Sequence, residues 1–237
     1  MRLDTFATPE PPNIRIAVPA GSIRVETADV AETTVEIDGP NEDDFKVEFH
    51  RNDLVIEAPR KGLFGSRGQH EIRVTAPHRS ELDANVASSD VAAKGTLGEV
   101  EVNSASGDVG LDRVEGRLHV NTASGDVDVK HVSGEARINS ASGDVTLEEA
   151  ESDVRVRTAS GDVELRSVVR GKVEVQSASG DVRVGIRQGS TVYIDASSMS
   201  GDMSSELPVS DTPPASDGPA VDFRARTMSG DVTVRRA

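Results

Sequence analysis

The chain has 237 residues, a formal net charge of −15, five Phe, one Tyr and no Trp or Cys. The lack of Cys excludes disulfides and thiolate metal sites. The acidic balance argues against nucleic acid as a partner, because phosphate binding depends on clustered Lys and Arg.

Residues 1–80 are predicted to form an irregular β cap that is continuous with the rest of the fold. Four of the five Phe lie here, as expected for a region more globular than a thin aliphatic core. Gly21, Ile23 and Val25 already follow the half-repeat found later in the chain. The alternation of apolar and polar residues predicts strands at 14–18, 22–26, 34–37, 45–49, 54–58 and 71–76.

Residues 81–237 are repetitive. A Ser-Gly-Asp-Val tetrad recurs with its first four Asp spacings at 18, 18, 18 and 19 residues, and Gly marks a half-repeat of about nine. Each Gly is followed by one polar residue and then apolar-x-apolar, which is typical of a short strand with one buried face. We therefore predict an all-β fold, a parallel β-solenoid with coils of about 18 residues and two short strands per coil.

The repeat also predicts which residues stack. One interior column should contain Val109, Val127, Val145, Val163 and Val182, and the facing rows should include Leu118, Ile138, Val156 and Val175. The equivalent amides of Asn103, Asn121 and Asn139 should form a ladder. Eight coils at the usual strand spacing would give a rod about 40 Å long.

The turns account for the tetrad. Gly supplies a positive φ at Gly107, Gly125, Gly143, Gly161 and Gly180, and the flanking Ser and Asp can bond to nearby backbone groups. The row of carboxylates suggests calcium, for which the candidates are Asp108, Asp126, Asp144, Asp162 and Asp181. However, the Gly-Gly-x-Gly part of the calcium-binding β-roll repeat is missing, and only one turn per coil repeats its Asp. We expect a structural ladder and no metal or other cofactor.

Residues 204–219 interrupt the repeat with a segment rich in Pro, Ser and Asp, which predicts a flexible loop. The chain then resumes the pattern from Val221 to Val234. The sequence therefore predicts one final coil at the end of the stack.

The Gly-x-Ile-x-Val strand, the Ile-Arg-Val-Thr-Ala-Pro segment at 72–77 and the Ser-Gly-Asp-Val ladder resemble the bacterial "putative adhesin" family, also known as domain of unknown function 4097. The resemblance covers nearly the whole chain. It implies a β-solenoid and a link to the cell envelope, and it supplies no catalytic residues.

Three functions are compatible with this sequence. A non-enzymatic scaffold or interaction module is favoured, with a protein or cell-envelope component as partner. End-to-end assembly of rods into a homo-oligomer or filament is the second. A carbohydrate-active β-helix enzyme is the third, but the Asp residues are spread one per coil rather than converging in a cleft. The five His are scattered, and we expect His119 and His131 to lie on strand or turn surfaces.

The location of the protein follows from what its sequence lacks. No apolar run approaches the ~20 residues of a membrane span, and the first residues do not resemble a signal peptide. We expect a cytoplasmic protein without direct membrane insertion, and any association with the envelope would occur through a partner.

Overall fold

The computed structural model describes residues 1–59, 70–207 and 219–237. These residues form one sheet that coils on itself, with a single short 3-10 helix at Glu42–Asp44. The strands are β1 (Arg2–Ala7), β2 (Asn13–Ala28), β3 (Glu32–Asp38), β4 (Lys46–His50), β5 (Asp53–Glu57), β6 (His70–Pro77), β7 (Glu81–Leu97), β8 (Val100–Ser106), β9 (Val109–Val114), β10 (Leu118–Ser124), β11 (Val127–Val132), β12 (Ala136–Ser142), β13 (Val145–Ala150), β14 (Val154–Ser160), β15 (Val163–Val168), β16 (Gly171–Ser179), β17 (Val182–Ile186), β18 (Thr191–Ser200), β19 (Met203–Ser205), β20 (Ala220–Ser229) and β21 (Val232–Arg236).

The repeat forms a parallel β-solenoid, as predicted. Each coil from β8 onward contributes two strands, and each strand pairs in parallel with the equivalent strand one coil away. Val127, for example, stands opposite Val109 on one side and Val145 on the other. Because the repeat length sets this register, residues 18 positions apart become neighbours.

The core is a set of aliphatic columns between the two walls of each coil. All nine residues predicted to be interior are at most 1% exposed. A further column was not predicted. It consists of Leu97, Val114, Val132, Ala150 and Val168, all at most 1% exposed.

The N-terminal region joins the stack rather than standing apart from it. β2 runs parallel to β7 on one side, and to β5 and β6 on the other. β1, β3 and β4 then extend the two walls in antiparallel pairing. β1 is a strand that the sequence did not predict, and the strands predicted at 14–18 and 22–26 are one continuous strand, β2. β3 to β6 lie where they were expected. The two coils of this region, β5–β6 and β2, add to the eight coils predicted for the repeat, so the described residues stack as ten coils.

The order of coils at the C-terminal end corrects the sequence prediction. β20 and β21 do not form the outermost coil, because β20 pairs with both β16 and β18. β21 likewise pairs with both β17 and β19. The last coil in sequence is thus inserted beneath the coil of β18 and β19, which ends the stack.

The segment predicted to be a loop, residues 204–219, begins as regular structure. Ser204 and Ser205 belong to β19, and Leu207 is 6% exposed. The central part of that prediction, residues 208–218, lies outside the described residues.

Candidate interaction surface

The Asp residues of the tetrads form a hydrogen-bonded ladder along one turn. The backbone N–H of Asp126 donates to Oδ1 of Asp108 at 3.0 Å, and that of Asp144 donates to Oδ1 of Asp126 at 2.8 Å. The same bond continues through every coil up to the outermost one, where Asp202 donates to Asp231. A carboxylate that accepts a backbone N–H gains a charge-assisted bond. The hydrogen-bonded turn that the sequence predicted is present.

Glycine is required at this turn for two reasons. Gly107, Gly125, Gly143, Gly161 and Gly180 have φ between 115° and 128°. Side chains of L-residues are strained there. In addition, a Cβ on Gly125 would meet the carbonyl oxygen of Gly107 in the coil before it. The coils therefore approach too closely at this turn for any side chain at that position.

The calcium candidates Asp108, Asp126, Asp144, Asp162 and Asp181 lie in this one row, and each already uses its Oδ1 as an acceptor. Arg183 contacts the second oxygen of two of them, at 3.2 Å from Asp162 and 2.7 Å from Asp181. That these carboxylates bind no calcium more tightly than millimolar stays a prediction. Calorimetric titration with calcium checks it, and micromolar binding that is abolished by Asp126→Asn together with Asp144→Asn would contradict it.

Asparagine amides form a second ladder, on the wall that contains β8, β10 and β12. Nδ2 of Asn121 donates to Oδ1 of Asn103 at 2.8 Å, and Nδ2 of Asn139 donates to Oδ1 of Asn121 at 2.9 Å. Asn85 extends the series by one coil, with an N–O distance of 3.2 Å to Asn103. This confirms the predicted amide ladder.

An exposed apolar column, here called the apolar stripe, runs beside the amide ladder. Strand register aligns one such residue in each of nine coils. All nine are exposed, Met228 at 59% and Met199 at 81%. In stack order they are Pro19, Ala87, Ala105, Ala123, Ala141, Ala159, Ala178, Met228 and Met199.

A groove of about 920 Å³ lies where the ladder and the stripe are adjacent. Its lining includes Ser104, Thr122 and Ser140, between the amides on one side and the alanines on the other. Thr122 is 7% exposed and donates from Oγ1 to the carbonyl oxygen of Ser124 at 2.9 Å. Ser140, at the equivalent position one coil further along, is 8% exposed. Sequence reasoning missed the groove, although the Ala between two hydroxyl residues in each repeat was its signal.

The outer faces of the walls carry charges that are paired from coil to coil. Lys130 Nζ lies 2.6 Å from Oδ1 of Asp112, and hydrogen bonding to that lysine holds the pKa of Asp112 below its usual value. Hydrogen bonds from Lys172 and then Arg155 lower the pKa of Glu174 to about 2. The charged side chains of these faces thus satisfy one another, in contrast to the apolar stripe.

The remaining candidates from the sequence lie apart from the groove. His119 is half-buried on β10. His131 on β11 is only 7% exposed, so the surface position expected for it is wrong. In the part of the chain that the structure describes, no helix is long and apolar enough to cross a membrane.

Several solved structures share this fold. A "putative lipid binding protein" from Parabacteroides distasonis has a TM-score of 0.58 and 16% identity, covering 100% of this chain and 96% of its own. A "putative adhesin" from Parabacteroides merdae has a TM-score of 0.56 and 13% identity, covering 98% and 96%. A "putative adhesin" from P. distasonis has a TM-score of 0.55 and 13% identity, covering 100% and 96%. At these identities the likeness concerns the fold alone. No curated protein matches the sequence.

The sequence-level comparison is more specific. The family model described as Toastrack DUF4097 matches residues 12–235, a range that begins just before β2 and extends into β21. The resemblance inferred from the Ser-Gly-Asp-Val ladder is confirmed, and the chain belongs to the DUF4097 toastrack family.

Proposed function

We propose that the protein is a non-enzymatic interaction scaffold, which binds an elongated protein or cell-envelope partner along the groove and the apolar stripe. The observation that carries this proposal is the stripe itself. Nine coils present an exposed apolar residue at one position, although the chain as a whole is strongly acidic. Contiguous exposed apolar surface on a soluble protein is a mark of an interaction site.

The geometry suits a long partner better than a small molecule. The stripe follows the stack axis for about 40 Å at the usual strand spacing, and the hydrogen-bonded walls hold it in a fixed shape. A preformed surface costs little ordering free energy when it binds. The exposed Met228 and Met199 at one end add flexible side chains of a type enriched in interfaces.

The relatives support this reading at a coarse level. Two of the solved structures with the same fold carry the name of adhesins and one that of a lipid-binding protein, and all three names describe binding rather than turnover. The carboxylates of the Asp ladder, which an enzymatic reading would use, serve as acceptors for backbone N–H groups.

The test places a photo-crosslinking amino acid at Ala123, in the groove, and in a second protein at Thr146, on the outer face of the opposite wall. In extracts of the native organism we expect one partner to be captured from position 123 and not from position 146. Ala123→Arg should abolish capture from a neighbouring groove position, Ala141, while Thr146→Arg should not. Equal capture from both positions would contradict the proposal.

End-to-end assembly is the second candidate, and the outermost coil favours it. β18 pairs with β20 on one side, and its inward-facing Ile194 is 41% exposed because none of the described coils covers it. Met203 on β19 is 52% exposed for the same reason. An open sheet edge with apolar side chains is a template for pairing with another chain. Sedimentation should then show concentration-dependent oligomers that Ile194→Lys removes, and a monomer at every concentration would exclude it.

A further inference from the structure

His131, Glu149 and Glu151 form a cluster that the interaction surface does not use. Two coils contribute to it: β11 supplies His131, and β13 supplies Glu149 directly opposite in register. Nδ1 of His131 lies 3.4 Å from Oε2 of Glu149, and its Nε2 lies 3.5 Å from Oε1 of Glu151. Among the described residues, this is the one group of His, Asp and Glu side chains whose ligand atoms all lie within 4.8 Å of one another.

We propose that this cluster binds a divalent transition-metal ion such as Zn²⁺. A zinc ion holds imidazole nitrogen and carboxylate oxygen at about 2.0–2.2 Å, so tetrahedral ligands stand about 3.4 Å apart. Nδ1 of His131 and Oε2 of Glu149 already have that separation. An imidazole ligand favours zinc and its transition-metal neighbours over calcium or magnesium, which prefer oxygen alone.

A serine assigns the ring nitrogen that binds the ion. Nε2 of His131 lies 3.0 Å from Oγ of Ser133. Metal-bound histidines almost always keep their second nitrogen in a hydrogen bond, which fixes the tautomer and the ring orientation. Nδ1, which faces Glu149, is therefore the ligand atom, and Nε2–H donates to Ser133. Glu151, whose Oε1 lies 3.5 Å from Nε2, must rotate its exposed side chain towards Nδ1 to reach the ion.

The cluster combines a fixed ligand with movable ones. The side chain of His131 is 9% exposed, whereas those of Glu149 and Glu151 are 35% and 39% exposed. The carboxylates can thus close around an ion that enters from solvent, and water can take the fourth position. An open fourth position is typical of zinc sites with three protein ligands.

The charged side chains around the cluster leave part of its negative charge unpaired. Nη1 of Arg187 contacts Oε1 of Glu149 at 2.7 Å, which neutralises one carboxylate but leaves Oε2 facing the ring. Arg113 stands opposite His131 in register, and Arg170 bonds to the backbone oxygen of Glu151 rather than to its carboxylate. These arginines weaken attraction for a cation, so we expect micromolar rather than tighter binding.

The experiment titrates the full chain with zinc chloride by calorimetry and with cobalt chloride by visible absorption, which reports tetrahedral coordination. We expect one ion per chain. His131→Gln, Glu149→Gln and Glu151→Gln should each weaken binding by more than about tenfold, and Ser133→Ala by about tenfold. Matched controls are His119→Gln, a histidine on the neighbouring wall, and Glu148→Gln, the residue before Glu149. Both should bind within twofold of the unsubstituted protein.

Three results would overturn the proposal. They are the absence of saturable binding below millimolar metal, equal loss in the controls, and unchanged binding in the cluster variants. If His131→Gln unfolds the chain, Glu151→Gln still decides the matter, because that side chain is partly exposed and circular dichroism will report whether its variant is folded. This test is independent of the proposed interaction surface, because the substitutions in the His131 cluster lie outside the groove and those in the groove lie outside the cluster.

Discussion

The middle of the stack and its two ends are built from the same coil but by different rules. From β8 to β15, coils that follow one another along the chain are also neighbours in space. At each end this correspondence fails, because β2 lies between β5–β6 and β7, and β20–β21 lies between β16–β17 and β18–β19. The repeat thus dictates packing within and between coils, but it does not dictate the order in which coils stack.

The largest expected contrast is between two residues of one interior column. Val145 is 1% exposed in the middle, whereas Met203, four coils further along the stack, is 52% exposed. Val145→Asp should cost several kcal/mol in the free energy of unfolding, because an unpaired charge enters an apolar core. Met203→Asp should cost less than about 1 kcal/mol, as surface substitutions do not leave the charge without water. Urea denaturation measures both, and similar losses would show that the end is covered in solution.

The second contrast tests the inserted coil. Phe223 on β20 is 0% exposed because β16 and β18 cover it on both sides, while its neighbour Ile194 on β18 is 41% exposed. Phe223→Ala should lower the free energy of unfolding by about 3–5 kcal/mol. Ile194→Ala should lower it by about 1 kcal/mol, because its side chain is only partly buried. If the coils instead stacked in chain order, Phe223 would be the exposed residue and the two values would reverse.

The third contrast concerns the turns of the middle coils. Gly125 has φ of 115° and lies against the backbone of Gly107, whereas a Cβ on Gly110 would meet nothing within 4 Å. Gly125→Ala should cost at least about 2 kcal/mol from backbone strain. Gly110→Ala should be neutral or slightly stabilising, since the strand position tolerates a side chain. Thermal unfolding separates the two variants, and equal melting temperatures would contradict this account of the turn.

The smallest expected effect is the acid dependence of one ion-pair cluster. Contacts with Lys172 and Arg155 lower the folded-state pKa of Glu174 from 4.5 to about 2. The stabilisation is therefore present above about pH 4.5 and is lost as the pH falls towards 2. Glu174→Gln should lose less stability than the unsubstituted protein over that interval. Glu206→Gln, in the outermost coil, is the control and should follow the unsubstituted protein.

Sequence reasoning succeeded where one repeat explains the next. The interior valines, the turn glycines and the asparagine ladder all follow from an 18-residue period combined with strand alternation. The column of Val114, Val132 and Val168 was missed because two residues separate it from the preceding apolar position, so strict alternation skips it. The inserted coils were missed because the strand edges of all coils are similar. The sequence of one coil therefore does not show which other coil it will pair with.

The candidate sites show the same division. The sequence predicted that the Asp ladder would support the turns, because the geometry of one turn determines it. The groove runs across the equivalent strands of successive coils on one wall, which alternation within a single strand does not describe. The His131 cluster could have been predicted from the sequence, because Glu149 is 18 residues after His131 and Glu151 is 18 residues after Ser133. The register alone would have placed all four together, had it been applied to residues outside the repeated tetrad.

The insertion of a coil at each end has a mechanical consequence. Tension on β21 or on β2 acts on a coil that is hydrogen-bonded to a neighbour on both sides. Such a coil cannot peel away one bond at a time from an open edge, as the outermost coil of a simple stack would. Two rows of backbone bonds must yield before it leaves, so a pull on β21 or on β2 meets more resistance than the thin core suggests.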